Sequence, residues 1–115
     1  MKKFIKAKVQ FEGIHKWDNC DLLEVDFLKY PHRHIFTIIA KKEISHLDRD
    51  VEFIKLGREI LSYINLEYKP VSDKNSALNL ESTSCEALAL KVTERFNLSE
   101  CEVWEDEENC GGVEK

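Results

Sequence analysis

The chain lacks the signatures of several large classes of protein. It contains no long apolar run, so no segment is expected to span a bilayer. It has no basic stripe with interleaved aromatic residues, and its net charge of -5 is spread over interspersed acids and bases. Binding to a nucleic-acid backbone requires a basic surface. The sequence thus predicts a protein that binds neither membranes nor nucleic acids.

The cysteines also lack a metal-binding or redox spacing. No C-x-x-C pair is present among Cys20, Cys85, Cys101 and Cys110. The basic start, residues 1–3, is not followed by the apolar stretch of a secretory signal. We therefore expect free thiols in a soluble, cytoplasmic protein rather than a disulfide framework.

The length of 115 residues predicts a single domain, residues 1–115, with no internal repeat or low-complexity tract. Such a domain can form a modest core, but it is short for an active site that one subunit encloses. We therefore expect a homo-oligomer.

Three histidines fall on the apolar face of two segments with strand-like alternation. His15 shares its parity with the apolar residues of segment 5–11, and His32 and His34 share theirs with those of segment 36–40. If the two strands pair as antiparallel neighbours, the three imidazoles converge. Three protein ligands plus water form the usual catalytic zinc arrangement. The alternative is that each histidine caps a strand or bonds a backbone carbonyl.

A first helix is predicted over residues 51–64, where apolar residues recur at helical spacing. Asp48 or Asp50 is available as its N-cap. The polar stretch 69–76 contains a proline and is predicted to be a loop.

A second helix is predicted to begin near Ser84 and to stop near Asn97. Thr83 and Glu86 have the spacing of a capping box. The alternation of residues 101–105 then predicts a short strand, and the glycine pair 111–112 is expected to turn the chain into a ragged last strand. This order predicts an α+β fold in which two helices pack on one face of an antiparallel sheet.

Two of these segments resemble segments of a known family. Residues 11–15, Phe-Glu-Gly-Ile-His, resemble a Phe-x-Ala-Ala-His segment, and residues 32–34, His-Arg-His, resemble a His-Gly-His segment. Both patterns occur in the 6-pyruvoyl-tetrahydropterin synthase and 6-carboxy-tetrahydropterin synthase family, whose subunits have the tunnelling fold (T-fold). In that family the two segments supply three zinc ligands. The resemblance therefore selects the same three histidines as the strand parity.

Three further segments are similar to the same family, so that the likeness covers most of the chain. Residues 51–56 resemble its Val-x-Asp-Phe-x-x-Leu helix opening, with Glu in place of Asp. Residues 84–89 resemble its Thr-Ser-Glu-x-Leu-Ala helix start, and residues 103–105 resemble its Val-x-Glu segment.

The resemblance implies Zn2+ at the three histidines and a small heterocyclic substrate of the pterin or purine-like class, such as dihydroneopterin triphosphate. It makes Glu105 the anchor of the heterocycle, since a carboxylate accepts paired N–H bonds from an aminopyrimidinone edge. It places Ser84 and Cys85 beside the substrate, and it implies a trimer or hexamer with sites between subunits. The alternative for Glu105 is that it begins a solvated acidic run.

The chain departs from the family in its acid–base groups. The family has a cysteine shortly before His-Gly-His and an Asp-His pair after the first helix, and neither occurs here at residues 25–31 or 65–70. Cys20 is the nearest thiol, and it is our candidate for the proton-transferring group if its loop doubles back. His46 and Asp48 precede the helix and are expected in a solvent-facing turn with helix capping.

Three functions are open at this point. The first is a zinc-dependent synthase or lyase acting on a pterin or related nucleotide derivative. The second is a module that binds such a heterocycle without turnover. The third is an oligomeric scaffold in which zinc only stabilises the fold. The open three-histidine site favours the enzyme, whereas the missing cysteine and Asp-His pair favour binding. We take the enzyme as the main expectation.

Overall fold

The computed structural model describes residues 1–115 and shows a mixed α+β fold built on one six-stranded sheet. The strands lie in the order β3-β4-β1-β2-β5-β6. Their bounds are β1 Lys3–His15, β2 His32–Ile44, β3 Pro70–Ser72, β4 Asn75–Glu81, β5 Glu100–Glu105 and β6 Asn109–Glu114. Two α-helices, α1 Phe53–Glu67 and α2 Cys85–Phe96, and one 3₁₀ segment, Leu23–Lys29, complete the fold.

The long hairpin of β1 and β2 is the centre of the sheet. The two strands pair antiparallel without a break, from Lys3 opposite Ile44 to His15 opposite His32. The alternation predicted for both segments is confirmed, because one parity of each strand lies in the core. The loop between the strands contains the 3₁₀ segment and crosses the end of the sheet at which the histidines lie.

Both helices pack on the same face of the sheet, as the sequence predicts. A single core joins the buried residues of the two helices to one face of the strands. The strand residues of this core are Ala7, Val9, Phe36, Ile38, Ala40, Leu78, Leu80, Cys101 and Val103. His15, His32 and His34 have the parity of this covered face, so they extend the core to its open end.

The ends of the helices differ in detail from the predicted caps. Glu52 caps α1 by accepting hydrogen bonds from the amides of Ile54 and Lys55. Asp50 instead holds the preceding turn through Ser45. The predictions of Asp48 or Asp50 as the cap were therefore wrong, because a longer side chain placed nearer the helix reaches the free amides.

In the second helix, Ser84 rather than Thr83 is the N-cap, and it accepts a hydrogen bond from the amide of Ala87. The predicted stop is confirmed, since Asn97 ends α2 in the left-handed conformation. The four cysteines are free, as predicted.

The sheet has more strands than the sequence predicts, and it is not wholly antiparallel. The predicted loop 69–76 contains β3 and the start of β4, and β4 pairs parallel with the end of β1 at Gly13. The glycine pair 111–112 lies within β6 instead of turning the chain. The turn is formed by Asp106 and Glu107, both with positive φ. Neither α-helix combines the length and apolar composition needed to cross a bilayer.

Gly13 allows a close approach beneath the histidines, and we predict that Gly13→Ala destabilises the fold. A Cβ at this position would lie 2.9 Å from the Phe36 ring and 3.2 Å from Leu80. Overpacking of this kind costs about 1–3 kcal/mol of unfolding free energy, measurable by urea denaturation. Gly57→Ala is the matched control. Its nearest contact would be Val9 at 3.2 Å, and alanine adds about 1 kcal/mol of helix propensity. Equal costs for the two variants would contradict the prediction.

Candidate metal centre

The pairing of β1 with β2 brings the three predicted histidines together. His15 lies directly opposite His32, and His34 lies opposite Gly13, two residues along the same face. The ring centroids of His15 and His32 are 4.6 Å apart, and those of His32 and His34 are 5.0 Å apart. One nitrogen from each ring lies within 4.8 Å of the others. This cluster of three side chains can hold a metal ion.

Each ring is held from the outside by its Nδ1 atom. His15 Nδ1 lies 2.9 Å from the Thr83 carbonyl oxygen, and His32 Nδ1 lies 2.8 Å from the Tyr30 carbonyl oxygen. A carbonyl only accepts, so both Nδ1 atoms must donate. His34 Nδ1 donates to the Asp106 carboxylate at 2.6 Å. The Nε2 atoms are therefore the ones left for a ligand, which is the usual support of metal-binding histidines.

The inner Nε2 atoms are consistent with a metal site. The Nε2 atoms of His15 and His34 are buried and have no hydrogen-bond partner. Buried polar atoms without a partner are uncommon and costly in folded proteins. Beneath them, the Phe36 ring packs edge-on against both imidazoles and excludes water from that side. A cation bound to the Nε2 atoms would satisfy both.

Glu105, the predicted heterocycle anchor, lies inside the cluster at the end of β5. Its Oε1 atom is 3.1 Å from His15 Nε2, and its Oε2 atom is 3.4 Å from His34 Nε2. Its parity is that of the buried residues Cys101 and Val103. The carboxylate thus points to the histidine face and does not begin the solvated part of the acidic run.

The ionisation of this group of residues follows from these contacts. Burial opposes the protonation of His15, but contact with the Glu105 carboxylate and the Thr83 carbonyl outweighs it and raises the pKa of His15. Contact with His15 lowers the pKa of Glu105 against the opposing effect of burial. Without metal, a proton shared between His15 and Glu105 relieves their contact. A metal cation would take the place of that proton.

Asp106 is a site residue that the sequence analysis missed. Its Oδ2 atom accepts from His34 Nδ1, while its Oδ1 atom accepts from the backbone amide of Ile35 at 2.8 Å. The contacts with His34 and Ile35 lower the pKa of Asp106, so it stays ionised. Its φ of 50° is unusual for a non-glycine residue. In the sequence, Asp106 could have been noticed because it directly follows Glu105 at the end of a predicted strand. It was not selected because it lies within a run of acidic residues.

A cavity of about 390 Å³ opens beside the histidines. Lys16, Trp17 and Leu28 line it from the loop side, and the start of α2 lines it opposite. The predicted Ser84 and Cys85 are both in this lining, together with Glu86, a second carboxylate that the sequence analysis did not select.

Two of these groups already have partners. The Ser84 hydroxyl caps α2, and the Cys85 thiol donates to Glu105 Oε1 at 3.3 Å. Burial, followed by the charge of Glu105, raises the pKa of Cys85 far above its usual value. Cys85 is therefore a protonated donor, not a thiolate nucleophile.

The structure does not bring Cys20 to the cavity. The residue is buried in the loop, and its thiol faces the carbonyls of Leu22 and Val25. His46 lies in an exposed turn with Asp50, as predicted, and takes no part in the cluster. Neither residue supplies an acid or base next to the three histidines.

Comparison with solved structures shows that the fold occurs elsewhere. The uncharacterized protein WS1659 from Wolinella succinogenes has a crystal structure that matches with a TM-score of 0.73. The match covers 100% of this chain and 99% of that chain, at 13% sequence identity. At this identity the likeness establishes the fold alone. No protein-family model matches the chain, and no curated protein matches it.

We predict that Cys110 reacts with iodoacetamide well before the other three cysteines. Cys110 is exposed, whereas Cys20, Cys85 and Cys101 are buried, and burial raises the pKa of Cys101 to about 12. Intact-mass measurements should show one adduct on the folded protein and four after denaturation. Early modification of Cys85 would contradict the assigned thiol-to-carboxylate hydrogen bond.

We predict that Asp106→Asn and Asp106→Ala lower the affinity of the three-histidine cluster for a divalent metal ion by about 10–100-fold, the usual loss for an outer partner of a metal-binding histidine. The loss arises because the His34 ring is no longer oriented and polarised by a charged acceptor. Competition with a chromophoric chelator measures the affinity. Glu108→Gln removes a nearby exposed charge and serves as the control. Equal affinities for wild type and both Asp106 variants would show that Asp106 does not support the site.

Proposed function

We propose that this protein is a zinc-dependent T-fold protein that binds a pterin or a related purine-like nucleotide derivative and acts on it as a synthase or lyase. The observation that supports this proposal is the set of three clustered Nε2 atoms, each freed by an outward Nδ1 hydrogen bond, beside a cavity that His15 and His32 line. Imidazole donors in a cluster of three are characteristic of catalytic zinc sites. The resemblance of segments 11–15 and 32–34 to the tetrahydropterin synthases gives the substrate class.

Each group of the site has a task in this function. The three histidines hold the metal, and zinc, when bound, polarises oxygen atoms of a substrate side chain. Glu105 and Glu86 are the carboxylates that line the cavity and can accept ring N–H groups. Since the thiols of Cys20 and Cys85 are not available as bases, Glu105 is the group beside the metal that can take a proton.

A site between subunits is part of the proposal. The cavity lies at the end of the sheet and is open to solvent, while the outer strands β3 and β6 each leave one edge unpaired. The loop over the cavity exposes apolar side chains, which another subunit can cover. The exposed apolar residues of this loop are Trp17, Leu22, Leu23, Phe27 and Tyr30. We propose a homo-oligomer, a trimer or hexamer, as in the family that the sequence resembles.

The second candidate is binding of the heterocycle without turnover. It is favoured by the position of Cys20, whose thiol faces backbone carbonyls rather than the cavity. It is also favoured by His46, which lies in an exposed turn and so cannot replace the missing Asp-His pair. In this case the same three histidines and the two carboxylates would retain the ligand in the cavity.

The test is mass spectrometry of products and retained ligand after incubation of the zinc-loaded protein with dihydroneopterin triphosphate. We expect a product with wild type and its loss in His32→Ala/His34→Ala. His46→Ala is the matched control, because it removes a histidine outside the cluster. Unchanged substrate retained at about one per subunit would favour the binding module. Substrate neither converted nor retained would overturn the pterin assignment.

A further inference from the structure

The spacing between Glu105 and two of the histidines is that of ligands on a common metal ion. Ligands bound to tetrahedral zinc at about 2.0–2.2 Å lie roughly 3.3–3.6 Å from one another. Glu105 Oε1 is 3.1 Å from His15 Nε2, and Glu105 Oε2 is 3.4 Å from His34 Nε2. One carboxylate oxygen thus lies close to ligand spacing from His15 and the other from His34.

While both rings are neutral, neither contact with Glu105 is a hydrogen bond. Both Nε2 atoms are buried without a hydrogen-bond partner, although a carboxylate oxygen lies close to each. The Nδ1 atoms of the same rings donate to Thr83 and Asp106, so a neutral ring has a lone pair at Nε2. A nitrogen lone pair that faces a carboxylate oxygen is repelled unless a cation lies between them. A metal ion removes the repulsion at both rings with one charge.

The surroundings of Glu105 also suit a ligand. Cys85 donates its S–H to Oε1, which leaves Oε2 free for the metal. The residue ends a strand that pairs with β2, opposite Phe36, so its backbone is fixed relative to the histidines. Hydrogen bonds to a ligating carboxylate are a regular feature of metal sites.

We propose that Glu105 is a fourth, removable ligand of the metal, which closes the site with three histidines and one glutamate until substrate binds. This role rests on the proposed function for the identity of the metal and the substrate. The Glu105 carboxylate also lines the cavity, so rotation of its side chain would carry it from a bound metal towards the ring of a bound heterocycle. The coordination position that Glu105 leaves would then be available to a substrate oxygen.

The test uses Co2+ in place of zinc, without any pterin, and reads the visible spectrum of the bound ion across the neutral pH range. With Glu105 as ligand, no water is bound, and the wild-type spectrum should not change with pH. Glu105→Ala should bind a water that ionises near pH 7, as metal-bound water does at about that value, and its spectrum should change. Glu105→Gln keeps the shape of the side chain, so it can be tested in the same way if the alanine variant does not fold.

Zinc affinity is a second readout. A Glu105 that only stabilised the fold would not change this affinity to the same extent. We expect Glu105→Gln to lower it by more than about 100-fold, beyond the loss for an outer partner such as Asp106. Glu108→Gln, an exposed carboxylate of the same acidic run, should leave affinity and spectrum unchanged. A wild-type spectrum that titrates near pH 7, or a zinc affinity in Glu105→Gln within a few-fold of wild type, would show that Glu105 pairs with a protonated ring instead. Either result would overturn the fourth-ligand role and leave the pterin experiment to decide the proposed function by itself.

Discussion

The unbroken antiparallel pairing of β1 with β2 positions every other part of the site. It places His15 opposite His32, with His34 two residues along the same face. Strand β4 then pairs with β1, and β5 pairs with β2. Side chains alternate across a strand, so a slip of one residue would move one strand's histidines to the opposite face of the sheet. The core prevents such a slip, since it would expose the fully buried Phe36 and Ile38. The register that buries the core is thus the register that assembles the histidines.

The second organising feature is that every histidine of the cluster is held from outside. Two backbone carbonyls and one carboxylate occupy the three Nδ1 atoms, which leaves three nitrogens directed at one point. Two of the supporting groups come from segments far away in the chain, the loop before α2 and the turn after β5. The site therefore depends on the whole sheet and on the start of α2.

The elements whose apolar residues recur with the period of a strand or a helix could be predicted from the sequence. The parity of segments 5–15 and 32–40 identified both long strands, their buried face and the three histidines on it. Residues 70–81 could not be identified as strands, because Pro70 and the polar residues around it are typical of a loop and the short β3 depends on pairing with β4. Asp106 was equally hidden, since an aspartate in an acidic run is usually solvated. Only the pairing of β5 with β2 brings it to His34.

The wide spacing of the site along the chain has a consequence for the order in which it forms. The His34 to Asp106 contact spans 72 residues, and the His15 to Thr83 contact spans 68. During synthesis, all three histidines emerge before the groups that orient His15 and His34 exist. Closing such long loops is slow compared with forming a local hairpin. In a nascent chain the three imidazoles are therefore a loose set, and the oriented cluster is complete only when the residues before α2 and the turn after β5 have reached the end of the sheet.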